Sequence, residues 1–95
     1  MNEQLGASSE NQPFSKGGFV AESVAQQLEA MLSAGNYDGV KSLLNPVQPV
    51  DIAQAIGTLP MILQALAFRL LNKNEAIEVY EYLDPSVQQN LLDRL

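Results

Sequence analysis

From Phe19 onward the apolar positions recur at helical spacing. Val20, Val24, Leu28, Met31 and Leu32 fall at i, i+4, i+8, i+11 and i+12, a stripe along one helix face. Gly35 ends that helix, standing where a left-handed backbone is needed just past a C-terminus. Asn36 caps a second, shorter helix that carries Tyr37, Val40, Leu43 and Leu44 inward. Asn45-Pro46 stops it, because a residue before proline is pushed out of the α region. A third helix starts near Pro49 or Asp51 and buries Ile52, Ala53, Ala55, Ile56 and Leu59. Pro60 opens a fourth over residues 61–71, apolar nearly all round and so expected at the centre, with neighbours on several sides. Asn72 and Glu75 form an Asn-x-x-Glu variant of the capping box at the head of a fifth helix that runs through Leu83. Asp84-Pro85 restarts a sixth, which carries Val87, Leu91, Leu92 and Leu95. No segment alternates with period two between turn signals, so no sheet is expected.

The second half of the chain repeats. Leu59, Leu71, Leu83 and Leu95 are spaced by twelve residues, and the first three each precede a helix-restart residue: Pro60, Asn72 and Asp84. Phe68, Tyr80 and Leu92 share the spacing, as do Ala67, Val79 and Leu91. Twelve residues hold two turns of helix and a tight bend, too little to stand as an isolated helix. Each unit must therefore lean on its neighbours, which predicts an all-α fold of about six short helices stacked as an α-solenoid. The alternative is an ordinary bundle of similar helices. Leu91, Leu92 and Leu95 close the chain without the polar outer face of a terminal repeat, so we expect a partial domain whose end continues or docks on another surface. The roughly 77 residues from 19 to 95 lie where a single core leaves only a few kcal/mol to spare. Residues 1–18 read differently. They are rich in Asn, Gln, Ser and Gly, and Lys16-Gly17-Gly18 closes them like a hinge, so they are expected to be a disordered tail ahead of a 19–95 module.

Composition removes whole classes of function. The chain of 95 residues has no Cys, His or Trp, which excludes disulfide scaffolds, thiolate or imidazole zinc sites, and His- or Cys-dependent nucleophilic catalysis. Ser23, Ser33, Ser42, Thr58 and Ser86 lack a histidine to activate them, and Gly17-Gly18 lacks the surroundings of a phosphate loop, so no enzyme is expected. Five Lys and Arg against eleven Asp and Glu give a net charge of −6 with no basic stripe, which argues against nucleic-acid binding. Pro60, Gln64 and Arg69 interrupt the most apolar stretch, which falls short of the roughly 20 residues that cross a bilayer. No direct membrane insertion and no secretory leader are expected, and the reading is cytoplasmic.

One cluster is chemically suggestive. Glu75, Glu78 and Glu81 recur every third residue on the fifth helix, with Asp84 opening the next. Carboxylate oxygens without His or Cys suit a hard cation such as Mg²⁺ or Ca²⁺. Three-residue steps drift by ~60° each around a helix, so the carboxylates fan out and any cation needs ligands from a second surface. A solvated acidic face is the plainer reading, and Asp51 and Asp84 read equally as N-caps.

The run LEAMLSAGNYDGVKSLLNPVQPVDIAQAI, followed by ALAFRLLNKNEAIEVYEYLDPSVQQNLLDRL, resembles the cytosolic N-terminal domain of MgtE-type magnesium transporters and channels over residues 23–95. The matching features are Gly35-Asn36, Gln48-Pro49-Val50-Asp51-Ile52, Leu70-Leu71-Asn72, Ala76-Ile77-Glu78-Val79 and Leu83-Asp84-Pro85. Gln48 stands where the family usually has His, Gln54 where Glu is common, and Asn72 where it has Pro. The resemblance implies a right-handed superhelix and a cytoplasmic regulatory, Mg²⁺-sensing module of a membrane protein. It also implies partners: CBS domains, bridged to this domain by divalent ions, and the membrane pore that they gate, in a transporter that is a homodimer. Glu78 matches the glutamate of the family's Ala-Ala-Glu-Val helix and is the implied metal ligand, with Mg²⁺ held weakly and shared with a CBS domain. The alternative is a metal-independent α-solenoid adaptor for protein–protein interaction.

Overall fold

A computed structural model describes residues 16–94, with side chains from residue 23 onward. Its described residues form six helices and no strand: α1 (Lys16–Ala34), α2 (Tyr37–Leu44), α3 (Pro49–Gly57), α4 (Met61–Arg69), α5 (Lys73–Tyr82) and α6 (Pro85–Arg94). The all-α expectation holds. Helix α1 begins at Lys16, so Lys16-Gly17-Gly18 form its first turn and not a hinge. The rest of the expected tail, residues 1–15, lies outside the described residues, as does Leu95.

Local chemistry explains where each helix stops and starts. Gly35 has φ +74°, which an L side chain rarely adopts. Around it, Asn36 N donates to Met31 O at 2.9 Å and Gly35 N to Leu32 O at 3.1 Å, the paired closure of a Schellman motif. The Oδ1 of Asn36 then accepts from Gly39 N at 3.0 Å and caps α2. At α3 the cap is Gln48, with Pro49 at the first helical position and Asp51 inside the first turn. Asp51 is therefore not an N-cap. Its charge still favours a helix N-terminus through the macrodipole.

The twelve-residue period reaches further back than Leu59. Five helices begin at Tyr37, Pro49, Met61, Lys73 and Pro85, each twelve residues after the last. Their closing bonds recur in the same register: Val47 N to Leu44 O (3.0 Å), Leu59 N to Ile56 O (3.0 Å), Leu71 N to Phe68 O (3.1 Å) and Leu83 N to Tyr80 O (3.2 Å). Each unit thus ends in a tightened i→i−3 turn that reverses the chain at the same point.

Stacking follows from this register. Helix α1 packs on α2, α3 and α4; α3 packs in turn on α4 and α5; and α4 packs on α6. Helices two apart in sequence therefore stack, α1 on α3 on α5 and α4 on α6, an arrangement compatible with a superhelix. Ala55, Ala67, Val79 and Leu91 occupy one register position and are wholly buried. Leu28, Val40, Ile52 and Ile56 complete the centre of a single core. Small residues at Ala53, Ala55, Ala65 and Ala67 leave room for the larger ones opposite.

Two side chains expected inside lie outside. Tyr37 is 42% exposed and Leu92 is 61% exposed. Helix α4 has neighbours on several sides, but Met61 and Ile62 at its start face solvent, and α3 buries more of its length. Buried polar groups organise α4 and α6. Gln64 and Asn90 are both buried, and Asn90 Nδ2 donates to Gln64 Oε1 at 2.8 Å and to Met61 O at 3.2 Å. Gln64 Nε2 donates to Leu59 O at 3.2 Å, and Arg94 Nε donates to Asn90 Oδ1 at 2.8 Å. Arg69 Nη2 reaches Arg94 O at 3.0 Å. Because Asn90 meets Met61 and Gln64 while Arg94 meets Arg69, α4 and α6 run in the same direction, as alternate rungs of a solenoid do.

Candidate functional site

The acidic face belongs to a helix fixed at both ends. At its start, Asn72 Oδ1 accepts from Glu75 N at 2.8 Å, the cap expected from the Asn-x-x-Glu spacing. Asparagine thus does the work of restarting the helix at a position where the resembled family has proline. Along one side, Val79 is wholly buried, and the Tyr80 ring meets Phe68 edge-on at 6.1 Å between centroids. At the far end Leu83 is buried, and Gln88 Nε2 donates to Tyr80 O at 2.7 Å. Gln64 makes the same kind of reach to the end of α3, two repeat units earlier, so a glutamine at the fourth position of a unit secures the preceding helix.

Helical geometry then decides where each carboxylate goes. At about 100° per residue, Glu75 lies about 40° from the buried Val79 direction, Glu78 about 100° and Glu81 about 160°. Their exposure follows in that order: Glu75 is half-buried, and Glu78 and Glu81 are exposed, as is Asp84 beyond the helix end. The Asp84 carbonyl starts α6, accepting from Val87 N at 2.9 Å and Gln88 N at 3.0 Å. Among the described residues no group of three or more Asp or Glu comes together in a way that could hold a metal ion. The fan predicted from three-residue spacing is what the structure contains. Glu78 stands alone on the flank of α5, with its carboxylate open to solvent.

The MgtE intracellular N domain matches residues 47–95, just over half of the sequence. The chain belongs to that family. Comparison with curated proteins and with solved structures gives no match. The matched residues take in all of α3 to α6, so Glu78 and the acidic face lie within the MgtE N domain. Membership makes this stretch part of the intracellular region of an MgtE-type magnesium transporter. No helix among the described residues is long and apolar enough to cross a membrane. The resemblance read from the sequence began at residue 23; α1 and α2 precede the matched stretch, yet α2 keeps its twelve-residue register.

Sequence reasoning missed the polar network that joins α4 and α6. Gln64 stood out only as an interruption of an apolar run, and Asn90 did not stand out at all. The available signal was Gln64 itself, a lone amide on the inward side of a helix, which must find a partner when buried.

Proposed function

We propose that this MgtE N domain is a Mg²⁺-sensing regulatory module, in which Glu78 supplies one ligand to an ion shared with a CBS domain and so helps gate the pore of a dimeric transporter. The observation that carries this reading is the placement of Glu78: solvent-facing, on a helix whose core side and ends are fixed, with its acidic neighbours turned away. The charged donors on this flank are carboxylate oxygens, and the chain has no His or Cys to compete with them, which suits a hard divalent cation. A single helix offers one such ligand here, so the site is one half of a contact. A bound Mg²⁺ would offset the repulsion between this acidic flank and a second acidic surface. The chain's own part is to hold Glu78 at fixed height and angle, so that occupancy changes packing between surfaces and leaves the domain's fold alone.

Amide NMR tests the site. Millimolar Mg²⁺ should shift resonances centred on Glu75 to Asp84, and Glu78→Ala should abolish those shifts. Added CBS domain should associate with the chain only when Mg²⁺ is present. Small, uniform shifts together with Mg²⁺-independent association would instead support a metal-independent adaptor. That second reading rests on the exposed Ile77, Tyr82 and Leu92, which are 55%, 58% and 61% accessible.

A further inference from the structure

We propose that the cleft beside the α4–α5 turn binds an acidic segment of a partner polypeptide, an interaction that needs no metal and goes beyond the sensing role. The cleft is an open depression with a volume of about 330 Å³, with Lys41, Asn45, Arg69, Asn72 and Glu75 on its polar side. Leu44 and Leu71 form part of its apolar lining. Two of the chain's five cationic side chains therefore line one depression, against a single carboxylate.

Hydrogen-bond accounting makes the cleft donor-rich. Arg69 Nη2 donates to Arg94 O at 3.0 Å, which steadies the guanidinium. Asn72 spends its side-chain oxygen on Glu75 N, so its amide N–H₂ remains to donate. Lys41 adds three more donors. Such a rim over leucine side chains matches a carboxylate with an aliphatic neighbour, and a guanidinium grips carboxylates with directional, charge-assisted bonds. An open trough does not enclose a small molecule, since small-ligand sites bury 70–90% of their occupant. A polypeptide crossing it needs only two or three side chains to engage. With a net charge of −6 on the whole chain, these cations are a local exception, so they also fix where an acidic partner lands.

The test titrates the full 95-residue chain, in chelator and without Mg²⁺, with an end-blocked hexapeptide of alternating aspartate and leucine, followed by amide NMR. Shifts should cluster at Lys41 to Asn45 and Arg69 to Glu75. Lys41→Met should weaken binding by about tenfold, as expected for loss of a charged hydrogen-bond partner. Glu75→Gln should tighten it, and Glu78→Ala should leave it unchanged. Since Lys41 is exposed, its variant should fold normally. Equal binding of the asparagine–leucine peptide would overturn the proposal, as would equal shifts with hexanoate or no shifts at the cleft. Because Mg²⁺ is absent throughout, failure here leaves the sensing proposal to its own experiment.

Discussion

Asn90 of α6 reaches across to Gln64 of α4, donating from Nδ2 to Oε1 over 2.8 Å with both side chains buried. Every polar atom of this pair has a use. Gln64 Nε2 goes to Leu59 O, and Asn90 Oδ1 accepts from Arg94. Satisfied networks of this kind specify one arrangement of helices, whereas a half-satisfied one is costly. Asn90→Leu strands Gln64 Oε1 and removes the second bond to Met61 O, and should lower unfolding free energy in urea by about 1–3 kcal/mol. A double-mutant cycle with Gln64→Leu should show coupling of about 1 kcal/mol; additive effects would mean that the contact contributes nothing specific.

Adjacent leucines on α6 should behave in opposite ways. Leu91 is wholly buried and Leu92 is 61% exposed. Leu91→Ala should therefore cost about 2–5 kcal/mol through lost burial and a cavity. Leu92→Ala should stay within about 0.5 kcal/mol. Thermal melts of the two variants decide this, and similar melting temperatures would contradict the assigned faces.

Two glycines should respond to alanine with opposite signs. Gly35 has φ +74°, so Gly35→Ala strains the Schellman turn and should destabilise by about 1–2 kcal/mol, even though nothing lies within 4 Å of the added methyl. Gly57 ends α3 without a positive φ and also has open space around it. Gly57→Ala should stabilise by about 0.4–1 kcal/mol, chiefly by restricting the unfolded chain. Denaturant midpoints measured side by side give both signs.

At the head of α2, cap and glycine are linked. A Cβ on Gly39 would lie 2.5 Å from Asn36 Nδ2, so Gly39→Ala pushes the capping side chain aside. Loss of the cap costs about 1 kcal/mol, while replacing a helical glycine returns about the same. Gly39→Ala should therefore be close to neutral alone, yet stabilising by about 0.5–1 kcal/mol in an Asn36→Ala background. Equal effects in the two backgrounds would show that the cap bond contributes little.

What was legible in the sequence was whatever short-range chemistry decides. The caps at Asn36 and Asn72 and the stop at Gly35 act within a few residues, and each was read where it stands. The fan of Glu75, Glu78 and Glu81 follows from helix pitch alone. Burial at long range was harder to read. Leu92 shares its register position with Ile56, which is buried, and with Phe68 and Tyr80, which are half-buried against the core, but residue type says only that a side chain tolerates burial. Whether a neighbour covers it is settled by the next helix in the row. Asn90 was invisible for the same reason, since its partner lies 26 residues away. Asp51 was misread because Gln48 caps α3 with its backbone carbonyl, accepting from Asp51 N and Ile52 N at 2.9 Å each, without a side-chain bond that would mark it.

The uniform closure of each unit has a bearing on how such a chain can change length. Excising 24 residues would take one rung from each column and leave every remaining face pointing as before. Excising twelve would exchange the columns, and any other number would turn apolar faces toward water. Evolutionary or engineered indels in this domain should therefore come in steps of two rungs, a quantum of length imposed by the hydrogen bonds that end each one.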